Sequence, residues 1–102
     1  MSFARSVQFV VKTGKTDDFK RVMNKDIMPL LKQEKGFRQV LTVLDRNGGM
    51  SLSVWDDRVS AEAYNTKTYP EVLRKLDGVL EGAPSVHTYE TVFSLIPDVV
   101  HA

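Results

Sequence analysis

Apolar residues in this chain switch from strand-like to helix-like spacing and back, twice, and that order restricts the fold more than any single motif does. In FARSVQFVVK, Phe3, Val7, Phe9 and Val11 alternate with polar neighbours, the mark of a strand with one buried face; Arg5 interrupts that face. TGKT supplies a turn, with Thr16 the expected N-cap and Asp17 and Asp18 placed where the positive end of a helix favours carboxylates. Phe19, Val22, Met23, Ile27, Leu30 and Leu31 then recur at helical spacing, with Lys20, Arg21, Lys25 and Lys32 opposite. Pro29 lies inside this helix. It lacks an N–H and crowds the preceding turn, so a kink or restart is expected near Asp26 to Met28.

Gly36 ends the helix. FRQVLTVLDR and MSLSVWD read as two strands joined by RNGG, whose Asn47–Gly48 pair suits a tight hairpin. SAEAYNTKTYPEVLRKL is a helical region broken near Tyr69–Pro70, with Ser60 the expected cap and Pro70 a first helical residue. SVHTYETVFSL is a last strand, and residues 96–102 form a short tail. The order β-α-β-β-α-β predicts one α+β, ferredoxin-like domain over residues 1–102, with two helices covering one face of a four-stranded antiparallel sheet.

The second sheet face then needs an occupant. Val10, Leu41, Val43, Val92 and Trp55 are assigned to it, and together they are too apolar for a wet surface. A core built from 102 residues is also small. Both points predict a homodimer formed sheet to sheet.

Composition removes several classes of function. The chain has no cysteine, which excludes disulfides, thiolate metal sites and cysteine nucleophiles. The formal net charge of +1 gives no basic field for nucleic acid or an anionic membrane. The start lacks the apolar core of a signal peptide, and nothing approaches the ~20 apolar residues of a membrane span. A cytoplasmic protein is the expectation.

VVKTGKTDDFKRVM, IMPLLKQEKGFRQVLTVLDRNGGMSLSVWDDRVSAEAYN and YPEVLRKL together resemble the antibiotic biosynthesis monooxygenase (ABM) domain of the dimeric α/β-barrel superfamily, over roughly residues 5–95. The shared features are a glycine turn before the first helix, a glycine–aromatic start to the second strand, and a third strand ending in tryptophan before a helix with an aromatic nine positions on. The resemblance implies a homodimer whose two sheets close a barrel. Some members degrade heme with an asparagine, a tryptophan and a histidine, which fall here at Val7, Tyr64 and Arg74. A guanidinium offers iron no lone pair, so no heme is expected, and no other cofactor.

Other members are cofactor-independent oxygenases of polycyclic phenols, in which the substrate anion itself reacts with oxygen. By that resemblance the expected site unites Trp55, Tyr64, Tyr69 and Tyr89 as substrate-binding residues with His87 and Arg74 as catalytic ones. His87 would take a proton and Arg74 would stabilise an enolate or phenolate, while Tyr64 and Tyr69 orient a small aromatic or hydrophobic metabolite. Each has a plainer alternative: Trp55 as a packing anchor, Arg74 as a surface ion pair beside Glu71 and Asp77, His87 as an exposed strand histidine, and the tyrosines as the edge of the core.

Asp56 and Asp57, adjacent at a turn, suit capping better than acid–base work. His87 and His101 lack metal-ligand spacing, so no metal site is expected. The same element order builds the RNA-recognition motif, but the third strand lacks its alternating aromatics. Two classes stay open: a cofactor-independent monooxygenase, and a non-catalytic dimeric small-molecule-binding or structural protein.

Overall fold

The computed structural model describes residues 2–46 and 48–95; Asn47 of the expected hairpin turn, His101 and the tail at 96–102 lie outside them. Strand β1 (Phe3–Phe9) leads through a glycine turn into helix α1 (Thr16–Val22), a π-helical turn (Met23–Ile27) and helix α2 (Met28–Gln33). β2 (Phe37–Asp45) and β3 (Gly48–Trp55) follow, then α3 (Arg58–Lys67), α4 (Tyr69–Leu76) and β4 (Ser85–Glu90). The sheet is antiparallel with strand order β2-β3-β1-β4. This is the α+β ferredoxin-like architecture that the element order predicts.

Local chemistry explains the irregularities. The wide π turn lies directly upstream of Pro29, which takes an opening position of α2 where its missing N–H costs nothing. Pro70 does the same for α4 and splits the second helical region at Thr68. Two expected caps, Thr16 and Ser60, do not cap, whereas the corner aspartates supply one as expected. Thr16 is the first helical residue of α1 rather than its cap, and Lys15 before it makes no side-chain capping bond. At α3 the cap is Asp57, whose carboxylate accepts from the Ser60 backbone N–H at 2.8 Å. Gly36, at φ +80°, occupies the left-handed region, and its carbonyl accepts from Asp56 N at 2.8 Å, joining the start of β2 to the end of β3.

Register decides which face each strand residue takes. Arg5 lies opposite Ser53, and Phe3 opposite Trp55, so Arg5, Val7 and Phe9 share the helix-covered face with Ser51, Ser53 and Trp55. Trp55 therefore belongs to the core and not to the second face: it is fully buried. Phe9, Phe19, Ile27, Leu31, Tyr64, Val72 and Leu76 pack with it. β4 ends at Glu90, sooner than the run SVHTYETVFSL suggests, because among the described residues β1 offers it no partner beyond Ser2, whose carbonyl accepts the last in-register bond from Thr91 N–H. Val92 follows the sheet rather than facing outward from it. The outer face keeps Leu41 and Val43 on β2, His87 and Tyr89 on β4, and Val10 just beyond β1, all exposed.

Candidate functional site

Between the sheet and the helices lies a partly enclosed cavity whose empty space, mouth included, is about 520 Å³; only about 50 Å³ of it can hold the centre of a water molecule. An apolar cavity that holds benzene is about three times larger, at ~150 Å³, so a polycyclic skeleton does not fit and a single ring needs the open mouth as well. Phe9, Phe19, Met23, Ile27, Leu31 and Val72 give the wall its apolar character. The polar groups come from Arg5, Ser51 and Ser53 on the central strands and from Tyr64 and Tyr69 on α3 and α4.

The SVWDDRVSAEAY corner fixes these groups. Trp55 ends β3 on the core face, and its indole N–H donates to Ser53 Oγ at 2.9 Å. Its ring stacks on Tyr64 with centroids 4.9 Å apart, and Phe37 meets it edge-on at 5.5 Å. Tyr64 in turn lies 6.1 Å from Tyr69 across the α3–α4 break. The two aspartates of the corner turn away from the cavity: Asp56 pairs with Arg38, and Asp57 caps α3. The corner is an aromatic anchor that holds Tyr64 against the cavity, with no acid–base pair in it.

Arg5 is the unexpected member. It is 2 % exposed, and an arginine buried to that degree demands partners. Its Nη2 donates to Asn65 Oδ1 at 2.7 Å. The guanidinium carbon lies 4.0 Å from the centre of the Tyr69 ring and 5.2 Å from that of Tyr64, an arginine laid on two aromatic faces. Arg5 Nε and Tyr69 Oη are buried and make no hydrogen bond of good geometry, although the guanidinium and the Tyr69 hydroxyl are near enough for each to favour the other's charged form. Burial lowers the Arg5 pKa from its usual value, opposed by the two tyrosines, and leaves a guanidinium that is charged at neutral pH. Burial pushes the Tyr64 phenol up to about 12 and raises that of Tyr69, in both cases against the pull of Arg5. Both tyrosines are neutral phenols at pH 7. As neutral phenols they are able to donate hydrogen bonds to a ligand but not to act as bases.

The expected site comes together only in part. Tyr64 and Tyr69 line the cavity, and Trp55 backs Tyr64 from the core. Arg74 does not join them: it is exposed on the outer side of α4, on a shallow open surface beside Leu73 and Asp77. His87 and Tyr89 do not join them either. They sit opposite Ser6 and Ala4 on the outer sheet face, exposed, with rings stacked at 6.3 Å. The alternation of a strand accounts for this, since the residues of β4 that point toward the helices are Val86, Thr88 and Glu90. Spacing missed Arg5, Ser51 and Ser53 on the wall, and Asn65, which bonds Arg5 without lining the cavity. Their one signal is the charged residue standing in the apolar phase of β1. Among the described residues, no group of three or more His, Cys, Asp or Glu side chains could hold a metal ion.

No family model matches this sequence, and no curated protein does. Solved structures do match. A protein of unknown function from Nitrosomonas europaea superposes with TM-score 0.81 at 15% identity, over 96% of each chain. A cofactor-independent oxygenase from Streptomyces nogalater, SnoaB, gives 0.75 at 13% identity, over 92% of this chain and 96% of its own. A structure named as a candidate antibiotic biosynthesis monooxygenase from Bordetella bronchiseptica gives 0.75 at 14% identity, over 90% and 98%. At such identities the likeness is one of fold, and the chain has the fold of the proteins named antibiotic biosynthesis monooxygenases.

Proposed function

We propose that this domain binds one small aromatic or otherwise hydrophobic metabolite in the cavity between the sheet and the helices. The observation that carries the reading is the cavity wall: predominantly apolar, partly enclosed, and interrupted by a cluster of fixed polar groups, as in small-molecule sites generally. Arg5, Tyr64 and Tyr69 are the binding residues in this reading, and Trp55 supports Tyr64. Arg74 and His87 are assigned no part in the cavity.

Oxygenation without a cofactor is the chemistry suggested by the fold shared with the Streptomyces nogalater oxygenase. In that version Arg5 takes the role first given to Arg74 and stabilises the substrate anion. One observation favours binding without turnover: among the described residues, the side chains of the wall include no histidine or carboxylate to accept a proton at neutral pH. Oxygen uptake with a panel of small phenols and quinols separates the two. Uptake that is lost in Arg5→Met establishes the oxygenase, and saturable binding without uptake establishes the binding protein. Absence of any saturable binding across the panel refutes both.

The assembly proposed with this site is a homodimer through the outer sheet face. Leu41 is 60% exposed and Tyr89 54%, beside Val43 and Val10, and a second sheet packed there would remove that apolar surface from water. No helix among the described residues is long and apolar enough to cross a membrane.

A further inference from the structure

We infer that the cavity ligand is a carboxylic acid: a small planar molecule with one carboxylate group, held by Arg5 Nε and Tyr69 Oη. The inference rests on the reading of the cavity as a ligand site and adds the chemical class of its occupant.

Charge is the first ground. Among the described residues the wall carries one cation, Arg5, and no aspartate or glutamate, so none of them neutralises the guanidinium from the cavity. A buried charge without a counter-ion is retained at a cost to folding, which is the pattern of a group kept for a partner that arrives later. Unused donors are the second ground. Asn65 accepts from Nη2 and thereby sets the plane of the guanidinium, while Nε and the Tyr69 hydroxyl make no hydrogen bond of good geometry. Both are donors at neutral pH, and an oxyanion is an acceptor only, so one ligand oxygen satisfies what the protein leaves open. Shape is the third. Stacking of the guanidinium on Tyr69 and the narrowness of the cavity select a flat body with a single charged end. A phosphate, carrying more charge and three oxygens, matches neither the pair of donors nor the apolar wall.

Benzoate and benzamide test the class, since they share shape and differ in charge. Each is titrated into ¹⁵N-labelled protein, following the backbone amides of the cavity wall and the Arg5 Nε–H resonance. The expected result is saturable benzoate binding that shifts Arg5 Nε–H, with benzamide at least tenfold weaker. Arg5→Met should abolish the preference, Arg5→Lys should keep part of it, and Tyr69→Phe should weaken benzoate several-fold. The lysine and phenylalanine variants keep the test valid should the methionine variant fold poorly. Equal affinity for the two probes, with shifts in the cavity wall, overturns the acid while leaving the cavity reading intact. Shifts confined to residues outside the wall, or none at millimolar concentration, overturn both.

Discussion

The Arg5 guanidinium lies 4.0 Å from the centre of the Tyr69 ring, on the wall of a cavity that no carboxylate among the described residues lines. Stacking and one hydrogen bond to Asn65 return only part of the cost of burying the cation. Arg5→Met should therefore raise the stability of the ligand-free protein, by about 1–3 kcal/mol, since replacing a poorly compensated buried charge with a well-packed apolar side chain is commonly neutral or stabilising. Urea denaturation of the two proteins reads the difference. A loss of more than ~1 kcal/mol in the variant would show that the guanidinium is structural and that its burial is compensated within the fold.

Tyr64 makes the protein sensitive to alkali. Its phenol ionises near 10.0 when unfolded and is pushed up to about 12 by burial when folded. The raised folded pKa means that its contribution is complete below pH 10 and is lost as pH climbs toward 12. Two units at ~1.4 kcal/mol each give a loss approaching ~3 kcal/mol from this group. Denaturation midpoints measured from pH 8 to 12 should fall steeply in the native protein. In Tyr64→Phe the fall should be shallower, and equal slopes would remove burial of this phenol as the cause.

Gly36 is a position where a side chain has neither the backbone nor the space it needs. At φ +80° any L-residue is strained, and an added Cβ would fall on Ser60 Oγ at the start of α3. Gly36→Ala is expected to cost about 1–3 kcal/mol, and Ser60→Ala in the same chain should recover little of it, because Ser60 Cβ as well as Oγ stands where the new Cβ would fall. Thermal melts of the single and double variants check this.

Leu41 reports on the assembly. It projects from β2 on the outer face and is mostly exposed in the single chain. Light scattering at micromolar concentration should give the mass of two chains for the native protein and of one for Leu41→Asp, with circular dichroism unchanged. A native protein that runs as one chain would leave the outer face without its proposed partner.

The sequence by itself determined the element order, and with it the ferredoxin-like sheet, because apolar spacing and turn chemistry are local: Gly36, Pro29 and Pro70 act on their own neighbours whatever the rest of the chain does. It also placed Tyr64 on the helix after the Trp55 corner, close enough in sequence for stacking to follow from a strand end and two helical turns. The rest was set by tertiary structure. Whether His87 faces the helices or the outside depends on its register against β1, and a shift of one residue would reverse it. Arg74 sits on a helix with two open sides, and only packing against the sheet shows which side is wet. Arg5, visible in the sequence as an interruption of the β1 pattern, becomes a site residue because the fold lays it on Tyr69 and within reach of Asn65, sixty positions along the chain. Spacing records which residues are apolar, but the partners of a buried charge are supplied by distant elements, and only the folded chain brings them together.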